Sequence, residues 1–286
     1  MEKSNCFSQG GNLNYKSFAI RALIAFVFGP LIVLAALEGG LIWLGFVLLV
    51  VLLSVKEFYD LGEKKSSPHY PFSLMISFFV VVSFYFYGEH ALLPFLILFL
   101  IGLLFIEIYR KKESPLLNVS TTVYGSLLYS ILFGSFVLLR EMPLTYGLDP
   151  TPAGKWIVMI ILSTWICDTA AYLIGSYFGK HKLIERISPN KTIEGTIGGF
   201  VFSILTAYGF HLFFINELRV ADSLIIGAIV GSIGQYGDLF ESMFKRDVGV
   251  KDSSSIIPEH GGIMDRFDSL TFSAPIVYLY LRFFYF

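Results

Sequence analysis

Long apolar runs are the feature that most limits how this chain can fold. A helix of about 20 apolar residues, rising about 1.5 Å per residue, crosses the roughly 30 Å hydrocarbon core of a bilayer. The sequence contains nine runs near that length, over residues 18–37, 41–58, 72–88, 91–109, 116–139, 156–178, 195–215, 222–240 and 270–286. Mean hydropathy is +0.69, which is too apolar for a soluble domain. We therefore predict an all-α, polytopic integral membrane protein with about nine transmembrane helices.

The runs differ in composition between the two halves of the chain. Residues 1–17 are polar and are expected to form a loose tail. Residues 18–139 contain runs of Leu, Val, Ile and Phe, which is typical of scaffold helices facing lipid. From residue 156 to 286 glycines recur at spacings of three and four, as at Gly195, Gly198 and Gly199. Such spacing lets helix backbones approach closely, so we expect the C-terminal region to be the tightly packed working core.

The basic residues predict the orientation of these helices. With nine crossings and the N-terminus inside, 17 of the 21 Lys and Arg residues fall in inner segments and 4 in outer ones. Lys and Arg are enriched in cytoplasmic loops of membrane proteins. The loops 179–195 and 241–269 should therefore face the cytoplasm, where nucleotides are found. The net charge of -1 argues against a nucleic-acid partner, because phosphate backbones need a basic excess.

Acidic residues within or beside the late runs are the first candidates for chemistry. Asp168 lies inside a run, where an acid costs roughly 2.5–3.5 kcal/mol; hydrogen bonds from neighbouring Ser or Thr would be one compensation and a site role another. Asp238 and Glu241 share a helix face, and Glu241 can pair with Lys245 four residues on. Asp265 and Asp268 repeat the three-residue spacing. Two carboxylates on one face repel unless a cation lies between them, and Mg²⁺ prefers oxygen ligands; the alternative is an exposed helix start, where acids favour the dipole.

Residues 245–268 carry nine acids and bases in 24 positions, against 15% charged residues overall. The basic residues of this segment alternate with carboxylates and with His260-Gly261-Gly262. The two glycines let backbone N–H groups approach an anion. A solvated loop or contact with lipid headgroups is the usual meaning of such a run, and His260 alone could simply cap or pack. Together, acids for a metal, bases for phosphate and a flexible loop indicate phosphoryl or nucleotidyl transfer.

The loop over residues 179–195 supplies a second group of basic residues. Ser188-Pro189 predicts a helix start, since Pro is favoured in the first turn. Lys191 and Thr192 would then lie at a helix N-terminus, a favourable place for phosphate. A loop that merely orients the protein in the membrane explains the same charges.

The segment Ser242 to Asp268, SMFKRDVGVKDSSSIIPEHGGIMDRFD, resembles the signature of the phosphatidate cytidylyltransferases, also called CDP-diacylglycerol synthases. The flanking stretches STWICDTAAYLIGSYFG and SPNKTIEGTIGGF also look like that family. The resemblance covers roughly residues 156–286. It implies a membrane enzyme that makes CDP-diacylglycerol and pyrophosphate from CTP and phosphatidic acid with Mg²⁺, alone or with a second cation. It also implies a homodimer in the cell membrane, with the active site on the cytoplasmic side and the C-terminal helices forming the catalytic core.

We assign the candidate residues as follows. The metal-binding candidates are the acids Asp168, Asp238, Glu241, Asp265 and Asp268. The catalytic candidates are Asp238, Lys245, Arg246, Lys251, Asp252, His260, Asp265, Arg266 and Asp268, in which Arg266 is expected to orient Asp265. The substrate-binding candidates are Ser188, Asn190, Lys191, Thr192, Glu194, Lys245, Arg246, Gly261 and Gly262.

Two other activities would also use membrane carboxylates. An ion transporter would place Asp168 and Asp238 along an ion path, but it leaves the basic signature and the His-Gly-Gly loop without a task. A closer alternative is a related lipid nucleotidyl- or phosphotransferase, acting on an isoprenoid ether lipid phosphate or a polyprenol. The D-x2-D-G-x2-A-R type pattern of CDP-alcohol phosphotransferases is absent from the sequence.

Overall fold

Helices lie at every one of the nine predicted positions. The computed structural model describes residues 15–254 and 261–286. Its helices are α1 (Tyr15–Glu38), α2 (Gly40–Gly62), α3 (Tyr70–Tyr87), α4 (Leu92–Tyr109), α5 (Pro115–Leu127), α6 (Ser135–Thr145), α7 (Thr151–Phe178), α8 (Ile193–Phe214), α9 (Val220–Ile229), α10 (Gln235–Asp247) and α11 (Met264–Tyr280). The helical fold class predicted from the sequence is confirmed.

Helix length and composition decide which of the described helices could cross a bilayer. Among the residues described, seven helices are long and apolar enough to cross a bilayer. The described apolar part of α1, Phe26–Glu38, is shorter, and α11 has 17 residues before a π-helical segment over Leu281–Tyr285. The count of nine crossings therefore stays a prediction.

Two further π-helical segments of the described residues each connect two α-helices. Leu128–Phe133 lies between α5 and α6, and Val230–Gly234 lies between α9 and α10. A π turn inserts a residue into a helix and changes which face its later residues occupy. The turn at Val230–Gly234 thus sets the face on which α10 carries Asp238.

A short hairpin separates α7 from α8. Strand β1 (Lys182–Ile184) pairs antiparallel with β2 (Ser188–Thr192), with Lys182 opposite Thr192. The helix start predicted at Ser188-Pro189 is wrong, because those residues begin β2. The helix begins at Ile193, where the Thr192 hydroxyl accepts a hydrogen bond from Gly195 N at 3.2 Å.

The core lies among helices of both halves. Trp43 of α2 is buried and its Nε1 donates to the carbonyl of Phe136 in α6 at 3.0 Å. The buried guanidinium of Arg140 donates to carbonyls at the end of α1, including that of Ala36 at 2.9 Å. It thereby satisfies groups that a helix C-terminus leaves unpaired. In contrast, the apolar windows of α4 and α8 are only 17% buried, which leaves faces suited to lipid.

Glycines bring the C-terminal helices together. A Cβ on Gly195 would lie 2.6 Å from the carbonyl oxygen of Ala171, and one on Gly199 would lie 2.9 Å from that of Cys167. Helices α7 and α8 therefore pack backbone against backbone, as the glycine spacing predicted.

Candidate functional site

A cavity of about 580 Å³ opens between α7, the β hairpin with the start of α8, α10 and α11. It gathers eight of the residues selected from the sequence: Asp168, Asn190, Lys191, Thr192, Asp238, Asp265, Arg266 and Asp268. These residues are far apart in the sequence and come from three late helices and one loop. The expected juxtaposition of Asp238 with Asp265 and Asp268 is present in the structure.

Close packing of α10 against α11 produces this juxtaposition. A Cβ on Gly237 would lie 2.7 Å from the carbonyl oxygen of Asp268. Only a residue without a side chain permits that approach. Asp238, the next residue, is thus brought beside the first turns of α11.

Asp238 forms an ion pair across the cavity. Its Oδ2 lies 2.5 Å from Lys191 Nζ, with the two side chains about one third exposed (34% and 27%). Ser242 Oγ donates to its Oδ1 at 3.3 Å. Asp238 has no basic partner at the next helical turn, so its cation comes from the hairpin instead.

Asp265 lies in a dense group of hydrogen-bond donors. Lys245 Nζ is 2.5 Å from its Oδ1. Its Oδ2 accepts hydrogen bonds from Ser253 N at 3.0 Å and Gly262 N at 2.8 Å, and Ser253 Oγ lies 2.9 Å away. Both oxygens of Asp265 are therefore engaged by protein groups, and its described partners do not include Arg266, which was expected to orient it.

Lys245 joins two carboxylates. Besides Asp265, its Nζ contacts Glu241 Oε1 at 3.0 Å, which confirms the expected pairing four residues apart along α10. Lys245 and Glu241 are both buried. The other Glu241 oxygen, Oε2, is buried without a hydrogen-bond partner among the described residues. Glu241 and Asp268 both border a second, much smaller space of about 10 Å³.

Asp168 and Asp268 line the same cavity as Asp238 and Asp265. Asp168 is exposed toward the cavity and none of the described residues donates a hydrogen bond to it, so Ser or Thr does not compensate its charge. Its charge interacts with those of Asp238, Lys191 and Arg266. Asp268 Oδ1 accepts from Ser269 N at 2.6 Å. Four carboxylates therefore line a space that also contains two cations, Lys191 and Arg266.

This donor set suits a magnesium ion that shares its coordination with substrate. Among the residues that the structure describes, no three His, Cys, Asp or Glu side chains lie close enough to enclose a metal by themselves. Mg²⁺ is usually held by one or two carboxylates together with waters and substrate phosphates. Asp168, Asp238 and Asp268 offer such oxygens without a complete protein cage.

The other candidates that the structure describes do not line the cavity. Glu194 accepts hydrogen bonds from His181 Nδ1 at 2.6 Å and from Lys180 N at 3.1 Å, and so holds the base of the hairpin. Ser188 begins β2. Arg246 is exposed in the last turn of α10, Lys251 and Asp252 are exposed on the loop that follows, and Gly261 and Gly262 lie beside Asp265. His260 lies outside the described residues.

Several residues around the site were not selected from the sequence. Gln235 lines the cavity, and its Nε2 donates to the carbonyl of Thr196 at 3.0 Å. Tyr172, Ser176, Thr196 and Ser269 also line it. A polar residue three positions before Asp238 on the same helix face was the available signal for Gln235.

Comparison with known proteins gives a consistent result over nearly the whole chain. The sequence model of the Cytidylyltransferase family matches residues 19–284. A phosphatidate cytidylyltransferase of Staphylococcus epidermidis is 33% identical over 276 residues, covering 92% of this chain and 96% of that protein. One of Thermotoga maritima is 30% identical over 270 residues, covering 92% of this chain and 95% of that protein. One of Staphylococcus aureus is 48% identical over 126 residues, covering 44% of this chain and 48% of that protein.

Proposed function

The chain belongs to the cytidylyltransferase family, and from this premise we propose that it is a phosphatidate cytidylyltransferase. It transfers CMP from CTP to phosphatidic acid and releases pyrophosphate, and the product, CDP-diacylglycerol, serves phospholipid biosynthesis. The observation that carries the proposal is the cavity that unites Asp168, Asp238, Asp265 and Asp268 with Lys191 and Arg266. The cavity lies between apolar helices and the polar hairpin, which suits a reaction between a soluble nucleotide and a lipid headgroup.

The basic residues fall into two groups by their surroundings. Lys191 and Arg266 line the cavity and are suited to bind phosphate oxygens. Arg246, in the last turn of α10, and Lys251, on the loop that follows, are exposed and are suited to neutralise the incoming triphosphate and lipid phosphate. Lys245 is buried between Glu241 and Asp265. We assign Lys245 to holding Asp265 in place, since its charge is already shared by two carboxylates.

The acids divide in the same way. Asp238 and Asp268 would hold Mg²⁺, and Asp168 is placed to hold a second cation. Asp265 supports them through its bonds to Lys245, Ser253 and Gly262. When bound, Mg²⁺ would neutralise charge on the phosphate oxygens and make the α-phosphorus more electrophilic.

The reaction needs little proton transfer from the protein. An oxygen of the phosphatidate phosphate, already anionic, forms a bond to the α-phosphorus of CTP in line with the bond to the β-phosphate. That bond breaks and its electrons leave with pyrophosphate. The chain's contribution is to position two anionic substrates and to balance their charge, which fits a cavity lined by paired acids and bases.

The membrane setting supports the same reaction. The chain is a multi-pass membrane protein by its long apolar helices. The distribution of Lys and Arg residues supports a cytoplasmic location for the hairpin and for the loop after α10. Association into a homodimer is implied by the family resemblance and remains a prediction.

The direct test is transfer of labelled CMP. Purified protein incubated with labelled CTP, Mg²⁺ and phosphatidic acid should yield labelled CDP-diacylglycerol, and chelation of Mg²⁺ should abolish the product. Asp238→Asn should lower the rate more than about 100-fold, because it removes a proposed ligand of the metal that would neutralise charge on the transferring phosphate. Asp247→Asn is the matched control, because Asp247 is an exposed acid on the same helix that pairs with Lys65 at 2.7 Å.

Other outcomes would redirect the proposal. Product formed from a polyprenol phosphate or an isoprenoid ether lipid phosphate, and not from phosphatidic acid, would change the lipid substrate. An unchanged rate in the Asp238→Asn protein would remove Asp238 from the site. Ion flux in liposomes without CTP would favour a transporter.

A further inference from the structure

Glu57 is a buried acid in α2, far in sequence from the cavity. Its side chain is completely inaccessible to solvent. A buried carboxylate is costly unless hydrogen bonds compensate the loss of water. In a helix of mean hydropathy 2.2, such a residue needs specific partners.

Among the residues that the structure describes, the partners of the Glu57 carboxylate come from the signature region. Its Oε1 accepts hydrogen bonds from Ser254 Oγ at 2.6 Å and Ile263 N at 2.9 Å. Its Oε2 accepts from Ser253 Oγ at 3.0 Å and Met264 N at 2.8 Å. Each oxygen thus has one backbone N–H donor and one serine hydroxyl beside it, and the single proton of the Ser253 hydroxyl is shared between Glu57 and Asp265. Both carboxylate oxygens of Glu57 therefore bind residues that are separated from it by 196 to 207 positions in the sequence.

Two of these donors are backbone N–H groups at the start of α11. The first N–H groups of a helix have no partner within the helix. The residue before α11 is Ile263, whose apolar side chain cannot accept a hydrogen bond from them. Glu57 supplies that cap from another helix. Its negative charge also lies at the positive end of the α11 dipole.

The contact leaves no spare space beside Asp265. A Cβ on Gly262 would lie 2.4 Å from Glu57 Oε2 and 1.9 Å from Ser253 Oγ. The same Ser253 hydroxyl lies 2.9 Å from Asp265 Oδ2. Glu57 and Asp265 thus contact a common group, the Ser253 hydroxyl, which links the two carboxylates.

We propose that Glu57 is a positioning residue for the nucleotide site: from α2 it fixes the first turn of α11, and with it the carboxylates of Asp265 and Asp268. Glu57 does not line the cavity and contacts no substrate there. The inference rests on the proposed function of the cavity. It assigns to a helix of the N-terminal half a direct part in building the site.

The test uses Glu57→Gln in the full-length protein. The amide has nearly the same size, but its NH₂ group cannot accept a hydrogen bond, so at least one backbone N–H at the start of α11 loses its partner. We expect amide hydrogen exchange in the peptide covering residues 261–268, measured without nucleotide, to accelerate at least about tenfold. The Mg²⁺ concentration for half-maximal CMP transfer should rise at least about fivefold, because the metal-binding acids are displaced.

Glu107→Gln is the matched control. Glu107 is a buried acid of another N-terminal helix, α4, where it accepts from Asn118 Nδ2 at 3.0 Å and pairs with His69. Its substitution should lower the melting temperature. Exchange over residues 261–268 and the Mg²⁺ requirement should stay as in the unsubstituted protein.

The outcomes separate positioning from general stability. If Glu57→Gln lowers only the melting temperature, as Glu107→Gln does, with unchanged exchange and Mg²⁺ requirement, the inference is overturned. If Glu57→Gln does not accumulate, Ser254→Ala removes one donor and keeps the carboxylate; it should shift both measurements in the same direction by less, and no shift would overturn the inference. The exchange measurement needs no CTP, so a failure of the proposed reaction would be recognised separately from a failure of the cap.

Discussion

Lys191 Nζ lies 2.5 Å from Asp238 Oδ2, so an ion pair connects the β hairpin to α10 across the cavity. The pair joins two segments that the helices alone leave apart. It also places the Lys191 ammonium beside the acids that are expected to hold metal, where the negatively charged triphosphate of CTP is proposed to bind.

Substitution of Lys191 should therefore weaken nucleotide binding. Lys191→Ala removes both the hairpin contact and one of two cavity cations, and we expect the KM for CTP to rise about tenfold, equivalent to about 1.4 kcal/mol. Lys182→Ala, on the neighbouring strand of the same hairpin, is exposed and should leave KM within about twofold, as an exposed charge contributes little. If the two substitutions raised the KM for CTP equally, the hairpin lysines would act by long-range attraction of the nucleotide, and Lys191 would have no specific contact with it.

Substitution of Lys245 should destabilise the protein as well as inactivate it. Lys245→Met leaves Glu241 and Asp265 buried without their cation, and removing one partner of a buried pair costs on the order of 3–5 kcal/mol. The melting temperature in detergent should fall clearly, whereas Lys64→Met, at an exposed position, should not change it. Adding Glu241→Gln to Lys245→Met should restore part of the stability, because it removes one of the uncompensated charges; no restoration would contradict the assigned network.

The close packing of α10 on α11 can be tested by replacing Gly237, with a glycine in an open position, Gly209, as the matched control. Gly237→Ala would place a Cβ 2.7 Å from the carbonyl oxygen of Asp268, forcing α10 away from α11. CMP transfer should fall at least about tenfold, since displacement of positioned groups by about 1 Å is costly. A Cβ on Gly209 of α8 meets no atom within 4 Å, so Gly209→Ala should retain full activity. Full activity of Gly237→Ala would show that the cavity tolerates wider helix spacing.

The predicted orientation can be tested by chemical labelling. In a protein with Cys6→Ser, an introduced Lys182→Cys should be protected from a membrane-impermeant maleimide in intact cells, and Leu148→Cys should react. Leu148 is 53% exposed in the connection between α6 and α7, which the distribution of basic residues places outside. Both should react after the membrane is permeabilised. The opposite pattern would invert the topology and place the cavity away from cytoplasmic CTP.

The helices were predictable because bilayer thickness fixes the length of an apolar run. The hairpin was not, since Ser188-Pro189 carries the local signal of a helix start. The strand forms because Ser188–Thr192 pairs with Lys182–Ile184, and pairing with another segment outweighs a local preference.

The candidate site was predictable where its residues share one helix. The spacing of Glu241 and Lys245 predicted their contact, and repeated acids at the ends of two late runs predicted a shared cavity. The ion pair of Lys191 with Asp238 and the cap formed by Glu57 connect segments distant in the chain, so no helical spacing reveals them. In the sequence, Glu57 was visible only as an interruption at the end of an apolar run.

Because α8 packs backbone against backbone on α7, its two faces should accept different ranges of substitution. At Gly195 and Gly199 any added side chain would strike the backbone of α7, so selection should return glycine there from a randomised library. Ile197, Val201 and Leu205 are exposed on the same helix and should interchange freely among apolar residues. Within one turn, α8 thus combines positions that evolution can barely change with positions constrained only by solubility in lipid.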